Sequence, residues 1–339
     1  MGVAGVLGLV FGSIAALFVL VVVGAAVIGG SSGRDTSTPL AYSTPSPYSE
    51  PTRSRADESD PPTPDDTPTV NPSPRPTEDD EPDDEPDVDP PEQVTVNRSL
   101  KNNSVYRAGA LPRYTCRAGN VNLRSHSQVK SLILKTGKCM DRAWGEILRK
   151  QNIPFTPPDY AIVATKGRGV CGDYPPAGSN VPYYCPRNRT IYVSTSGVAV
   201  GNSSSAGYGQ IINWHGGVTS AMAHEYGHHV QNLTGLIDSW WERTLETSSQ
   251  SSKLGLSRRM ELQATCFAGM WMRSVAASYP VSTSNRQRLF WLWSNLGDHP
   301  GRVRDHGSPA NNHRWFRQGW EKNQAYQCNT WVVPASATS

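Results

Sequence analysis

Two histidines flanking a glutamate at metal-ligand spacing, His224-Glu225-Tyr226-Gly227-His228, are the residues of this chain best suited to chemistry. On a helix the i,i+4 spacing puts both imidazoles on one face, within reach of one metal ion, and Glu225 then lies beside that ion. From there its carboxylate can hold and deprotonate a metal-bound water while the metal polarises a substrate carbonyl. Two nitrogens plus a carboxylate suit Zn²⁺. With 8 histidines in 339 residues, such a match arises roughly 0.007 times in a shuffled chain, which sets coincidence aside.

The motif needs a helix, a third ligand and elements to bring them together. Uncharged neighbours (Ala221, Met222, Ala223, Val230) suit a buried helix from Gly217 towards Asn232, ending around Gly235. A second helix is expected from Leu256 to Tyr279, closed by Pro280. On it Glu261 is the best third ligand, because Ala264, Ala268 and Gly269 would let it approach the motif helix closely. An extended pattern with a third histidine fails, since Gln231 and Thr234 stand where Gly and His would be needed. Asp238 follows the helix end, and His229 points about 100° away from His228. A histidine in a late loop can donate to the oxyanion of a tetrahedral intermediate, and His306 is preferred for this over His299 and His313.

The scaffold is expected to include a packing helix over Gln128–Lys150, with Val129, Leu132, Ile133, Met140, Ala143, Trp144, Ile147 and Leu148 inward. Tyr160–Ala164 and Thr190–Ser194 read as strands that could form a sheet edge, Gly197–Gly209 as a loop near the site, Arg286–Leu296 as an aromatic helix, and Trp315 to Trp320 as part of a last helix. Nine of the ten tryptophans follow residue 213, most simply as packing around the motif helices.

Charge and hydropathy divide the chain in three. Residues 1–30 carry no charged side chain and are apolar over 3–30, longer than the about 20 residues that cross a bilayer, which reads as an uncleaved transmembrane anchor. Residues 31–93 hold 15 of the 27 prolines and 17 acidic against 4 basic side chains, a net −13, and read as a disordered, semi-rigid stalk. Residues 94–339 hold 12 acidic against 28 basic side chains, a net +16, enough for one sizeable core. That basic surface could attract anionic envelope polymers; it carries no nucleic-acid-binding motif. The six cysteines all lie beyond the apolar run, an even set without C-x-x-C spacing, which points to disulfides outside the cytoplasm. Sequence order and loop size suggest Cys116–Cys139, Cys171–Cys185 and Cys266–Cys328.

Three segments together, His224–Asn232, Glu261–Gly269, and His306-Gly307-Ser308 with Arg314-Trp315-Phe316, resemble the bacterial putative neutral zinc metallopeptidase family over roughly residues 95–335. The resemblance implies an α+β zincin-like domain, mostly helical with a small sheet, with His224, His228 and Glu261 as zinc ligands. It departs from the family at Thr265, where members usually carry an acid that would support a ligand, and at His299, where they tend to read Asp. The expected activity is that of a membrane-anchored zinc endopeptidase acting on peptides or proteins, with Glu225 as general base and His306 at the oxyanion. The alternative is a non-catalytic envelope protein with a structural or vestigial zinc site, which Thr265 keeps open and the intact Glu225 opposes.

Overall fold

A computed structural model describes residues 95–175, 180–199, 214–279, 283–300 and 303–339. The expected anchor and stalk, residues 1–30 and 31–93, lie outside the described residues. Among the described residues no helix is long and apolar enough to cross a membrane.

The fold is α+β and mostly helical. A single 3₁₀ turn, Ser104–Arg107, interrupts the irregular opening segment. Helix α1, His126–Arg149, follows, and all eight apolar positions expected on its inner face are buried. Then come strands β1 (Asp159–Val163), β2 (Gly167–Gly169), β3 (Gly172–Tyr174), β4 (Tyr183–Cys185) and β5 (Thr190–Ser194). β5 is central and buried throughout, parallel to β1 and antiparallel to β4, with Ile191 opposite both Tyr160 and Tyr184. β2 and β3 form a separate antiparallel hairpin. The two expected strands are thus real and pair with each other. The three residues of β4 were too few to read, and β4, not an expected strand, forms the edge next to the motif helix.

The Gly197–Gly209 stretch is not wholly a loop. Thr195–Ala199 form the short helix α2, and the remainder lies outside the described residues. Helix α3, His215–Leu233, carries the motif and is buried on nearly every side. It stops at Gly235, whose φ of +73° is open to glycine at little cost. Helix α4, Leu236–Glu246, follows directly; only Leu236 and Thr244 are buried on it, so no apolar stripe announces it.

Helix α5, Gln250–Ser274, begins six residues before the expected Leu256. Its first turn is polar and invisible to periodicity, and the Ser249 side chain caps it. It also ends before Tyr279, as Val275–Tyr279 turn back on themselves. Helices α6, Thr283–Trp293, and α7, Pro309–Lys322, follow.

Small residues set the helix spacings, with one correction. A Cβ at Gly227 would lie 2.9 Å from the Ala264 carbonyl oxygen and 3.0 Å from its Cα, so α3 and α5 approach backbone to backbone, as close as expected. Gly269, by contrast, faces Phe316 and Trp320 of α7, paired with Gly319 against Cys266, so it serves the α5–α7 contact instead of the motif helix. The core around these helices is aromatic: Trp144 meets Phe267 edge-on at 5.2 Å, and Trp293 stacks on Phe316 at 5.0 Å. All three disulfides pair as expected, with Cα–Cα separations of 5.9, 5.8 and 5.5 Å.

Candidate metal centre

The α3–α5 contact brings three donors together. Glu261 Oε2 lies 3.2 Å from His224 Nε2 and 3.4 Å from His228 Nε2. Two donors bonded tetrahedrally to one zinc at 2.0–2.1 Å stand about 3.3 Å apart, so the set has the size and chemistry that zinc requires. Among the described residues no fourth His, Cys, Asp or Glu joins this group.

Each imidazole is oriented from behind. Gln231 donates from Nε2 to the Met260 carbonyl and to Gln263 Oε1, so its Oε1 can only accept, and it takes the Nδ1–H of His228 at 2.8 Å. That leaves His228 Nε2 for the centre. Thr265 does the same for His224, with its hydroxyl 3.2 Å from Nδ1 and donating to Asn312 Oδ1 at 3.2 Å. Asn312 in turn donates from Nδ2 to the carbonyls of His306, Gly307 and Ser308. A hydroxyl can accept from the histidine and donate to Asn312. A carboxylate at 265 would confront Asn312 Oδ1 with another acceptor.

Glu225 is buried beside the donors, and its Oε2 accepts the backbone N–H of Tyr184 on β4 at 2.9 Å. The edge strand therefore fixes this carboxylate. Burial pushes its pKa up to about 8. Burial also drives His224 down to about 4. In His228 burial acts the same way but is outweighed by the Glu261 carboxylate, which lifts it to about 9. Burial would raise Glu261, yet His228 and His306 hold it well below the usual carboxylate range. Metal-free, the site keeps its proton on His228, with His224 neutral.

His306 reaches the same carboxylate oxygen from the loop, its Nε2 3.9 Å from Glu261 Oε2. Asp305 Oδ1 holds its Nδ1–H at 2.6 Å. Against burial, Glu261 and Asp305 raise His306 to about 10, so it is an imidazolium with Nε2–H turned towards the donors. The Asp298 carboxylate shapes the loop by accepting the N–H groups of Asp305 and His306.

The rejected candidates sit elsewhere. His229 bonds to the Tyr184 hydroxyl and the Thr156 carbonyl on another face of α3, Asp238 is exposed on α4, His299 bonds to the Asn295 carbonyl, and His313 packs on Phe290. Sequence reasoning missed Gln231, Asp305, Tyr184 and Trp293, whose ring lies 5.7 Å from that of His224. Of these only Gln231, one turn after His228, had a readable signal.

The model of the family described as "Putative neutral zinc metallopeptidase" matches residues 96–331. The chain is similar to "Uncharacterized protein YpfJ" of Escherichia coli (strain K12), 29% identical over 212 residues, covering 59% of this chain and 69% of that protein. It is likewise similar to "Uncharacterized protein Rv2575" of Mycobacterium tuberculosis (strain H37Rv), 30% identical over 225 residues, covering 60% and 70%. No solved structure matches the chain.

Proposed function

The chain belongs to the putative neutral zinc metallopeptidase family, and from that premise we propose that it is a membrane-anchored zinc endopeptidase whose catalytic domain works outside the cytoplasm. The observation that carries the reading is the Glu225 carboxylate, locked by the Tyr184 N–H next to a three-donor group that no fourth His, Cys, Asp or Glu joins among the described residues. A structural site has no use for a base there.

His224, His228 and Glu261 would hold the zinc. The chemistry a bound zinc supplies is Lewis acidity towards a peptide carbonyl and a water pKa lowered towards 7. Glu225 takes the proton of the attacking water and passes it to the leaving amine, and its buried position keeps that carboxylate basic. His306, protonated and oriented by Asp305, offers its Nε2–H to the oxygen that gains charge. Three disulfides suit an oxidising compartment, and the apolar residues 3–30 suit an anchor. Peptides or proteins are the substrates, and the net charge of +16 over residues 94–339 favours anionic envelope polymers as neighbours.

One observation favours a second reading. His306 Nε2, at 3.9 Å from Glu261, is near enough to become a fourth ligand after a small shift, which would close the site and leave a structural zinc in a non-catalytic envelope protein.

The test compares the full chain with Glu225→Gln, measuring zinc by elemental analysis and hydrolysis of fluorescein-labelled casein. The expected result is one zinc in each and a fall in turnover of about 10³-fold in the variant. Equal cleavage by both proteins would remove Glu225 from the mechanism.

A further inference from the structure

The His306 loop has no regular structure, yet it must present one imidazole to a carboxylate on a different element. Most of its bonds tie it to its own neighbourhood: Asp298 takes the N–H groups of residues 305 and 306, and Asn312 takes the carbonyls of 306 to 308. Besides the pair of His306 with Glu261 itself, two polar links tie the loop to α5, the helix that carries Glu261. One is Thr265 through Asn312. The other is direct. Arg258, one turn before Glu261, donates from Nη1 to the Arg304 carbonyl at 2.5 Å and from Nε to the Thr338 carbonyl at 3.0 Å.

We propose that Arg258 is a positioning residue that fastens the His306 loop to the helix bearing Glu261, using the C-terminal segment as a strap. The function of what it positions rests on the peptidase reading; the positioning itself does not.

Three observations converge on this role. The guanidinium is a planar fork whose Nε and Nη1, two separate nitrogens in a fixed plane, reach two carbonyls from segments 34 residues apart, whereas a lysine would have to serve both from one nitrogen. The strap is itself built onto the loop, since Ser339 O accepts the Ser308 N–H at 3.0 Å and the Asn311 amide at 2.7 Å, while Trp315 Nε1 holds the Ala337 carbonyl. Last, Asp298 and Asp305 are both buried, each with one carboxylate oxygen lacking a hydrogen-bond partner. Two buried carboxylates so placed favour nearby positive charge, and Arg258, which bonds the Arg304 carbonyl next to Asp305, stands close enough to feel both.

The next residue supplies a control. Arg259 also grips carbonyls of the C-terminal segment, those of Thr330 and Val333, but has no bond to residues 303–308. Losing either arginine loosens the segment; losing Arg258 alone should release His306.

The experiment uses the full chain as wild type, Arg258→Gln, Arg259→Gln, His306→Ala and the Arg258→Gln/His306→Ala pair. In metal-free protein, the downfield ring N–H resonance of His306, assigned by its absence in His306→Ala, should vanish in Arg258→Gln and persist in Arg259→Gln. On labelled casein, Arg258→Gln should lose about tenfold in kcat with zinc content and KM unchanged, and add less than about twofold once His306 is Ala. A resonance retained in Arg258→Gln, or a tenfold loss that persists without His306, overturns the proposal. Should Arg258→Gln fail to fold, Arg258→Lys is read by the same criteria. If wild type cleaves nothing, the peptidase reading fails, and the resonance still decides the role of Arg258.

Discussion

The α3–α5 pair and the His306 loop meet at one carboxylate, Glu261, and are held there by different means. The helix pair is held by packing: Gly227 admits Ala264, His228 and Glu261 are buried and His224 half-buried on regular backbone, and each histidine has a hydrogen-bond partner within the same helices. The loop is held by side chains gripping backbone carbonyls and amides, through Asp298, Asn312 and Arg258. Packing of this kind is all-or-none, whereas a loop tied by single bonds can loosen one bond at a time. Metal retention should therefore follow the helices, and turnover should follow the loop.

The largest effects test that division directly. Glu261→Ala should cost at least about 100-fold in zinc affinity and abolish cleavage with it. His306→Ala should keep its zinc and lose about 10²-fold in kcat, read by elemental analysis beside single-turnover kinetics. Loss of zinc from His306→Ala would break the comparison and make His306 a ligand, the closed-site reading.

A second pair acts on backbone approach. Gly227→Leu would drive a side chain into Ala264 and should destabilise by about 2 kcal/mol, lowering Tm by about 5 °C and weakening zinc binding. Gly307 has φ +78° and leaves no room beside Leu262, so Gly307→Ala strains the loop instead. It should lower kcat at unchanged zinc content. Equal loss of zinc in both variants, by titration with a chromophoric chelator, would show that the two regions are not separable.

Smaller effects distinguish the two histidines. Gln231→Ala should weaken zinc about 10- to 100-fold, and Thr265→Val towards the lower end, since a hydroxyl orients a ring without adding charge. Thr265→Asp puts an acid behind His224 yet should bring no gain, because Asn312 Oδ1 faces it. Tighter zinc in Thr265→Asp would show that Asn312 can turn.

What could be read in the sequence follows the same line. The motif helix, α1 and the approach of Glu261 to His224 and His228 were legible because helical periodicity and small residues report on packing between neighbouring faces. The disulfides followed from chain order and loop size. The polar first turn of α5, the three-residue β4 and the short α4 left no pattern, and Gly269 was assigned to the wrong neighbour because a small residue does not say which helix approaches it. The loop was least legible: Arg258 meets carbonyls 46 and 80 residues away, and Tyr184 meets Glu225 across 41. A bond to backbone carries no signature in the partner's side chain, so no spacing rule could have found these.

The pH dependence of zinc binding separates the two histidines of one motif without any substitution of a ligand. Zinc takes neutral imidazole, so a proton already on a ligand must leave. His224, held near 4, has none to give above about pH 5. His228, held near 9, must release one throughout the neutral range, so affinity should rise about tenfold per pH unit from pH 5.5 up to its own pKa and flatten above it. Glu225, neutral below about 8 in the metal-free site, adds up to a second proton if the cation ionises it, and that share should disappear in Glu225→Gln. Calorimetry in buffers of different ionisation enthalpy counts the protons: between one and two in wild type at pH 7 and one in Glu225→Gln. A count of zero in the variant would mean that Glu261 does not protonate His228, and that the helices alone hold the three donors in place.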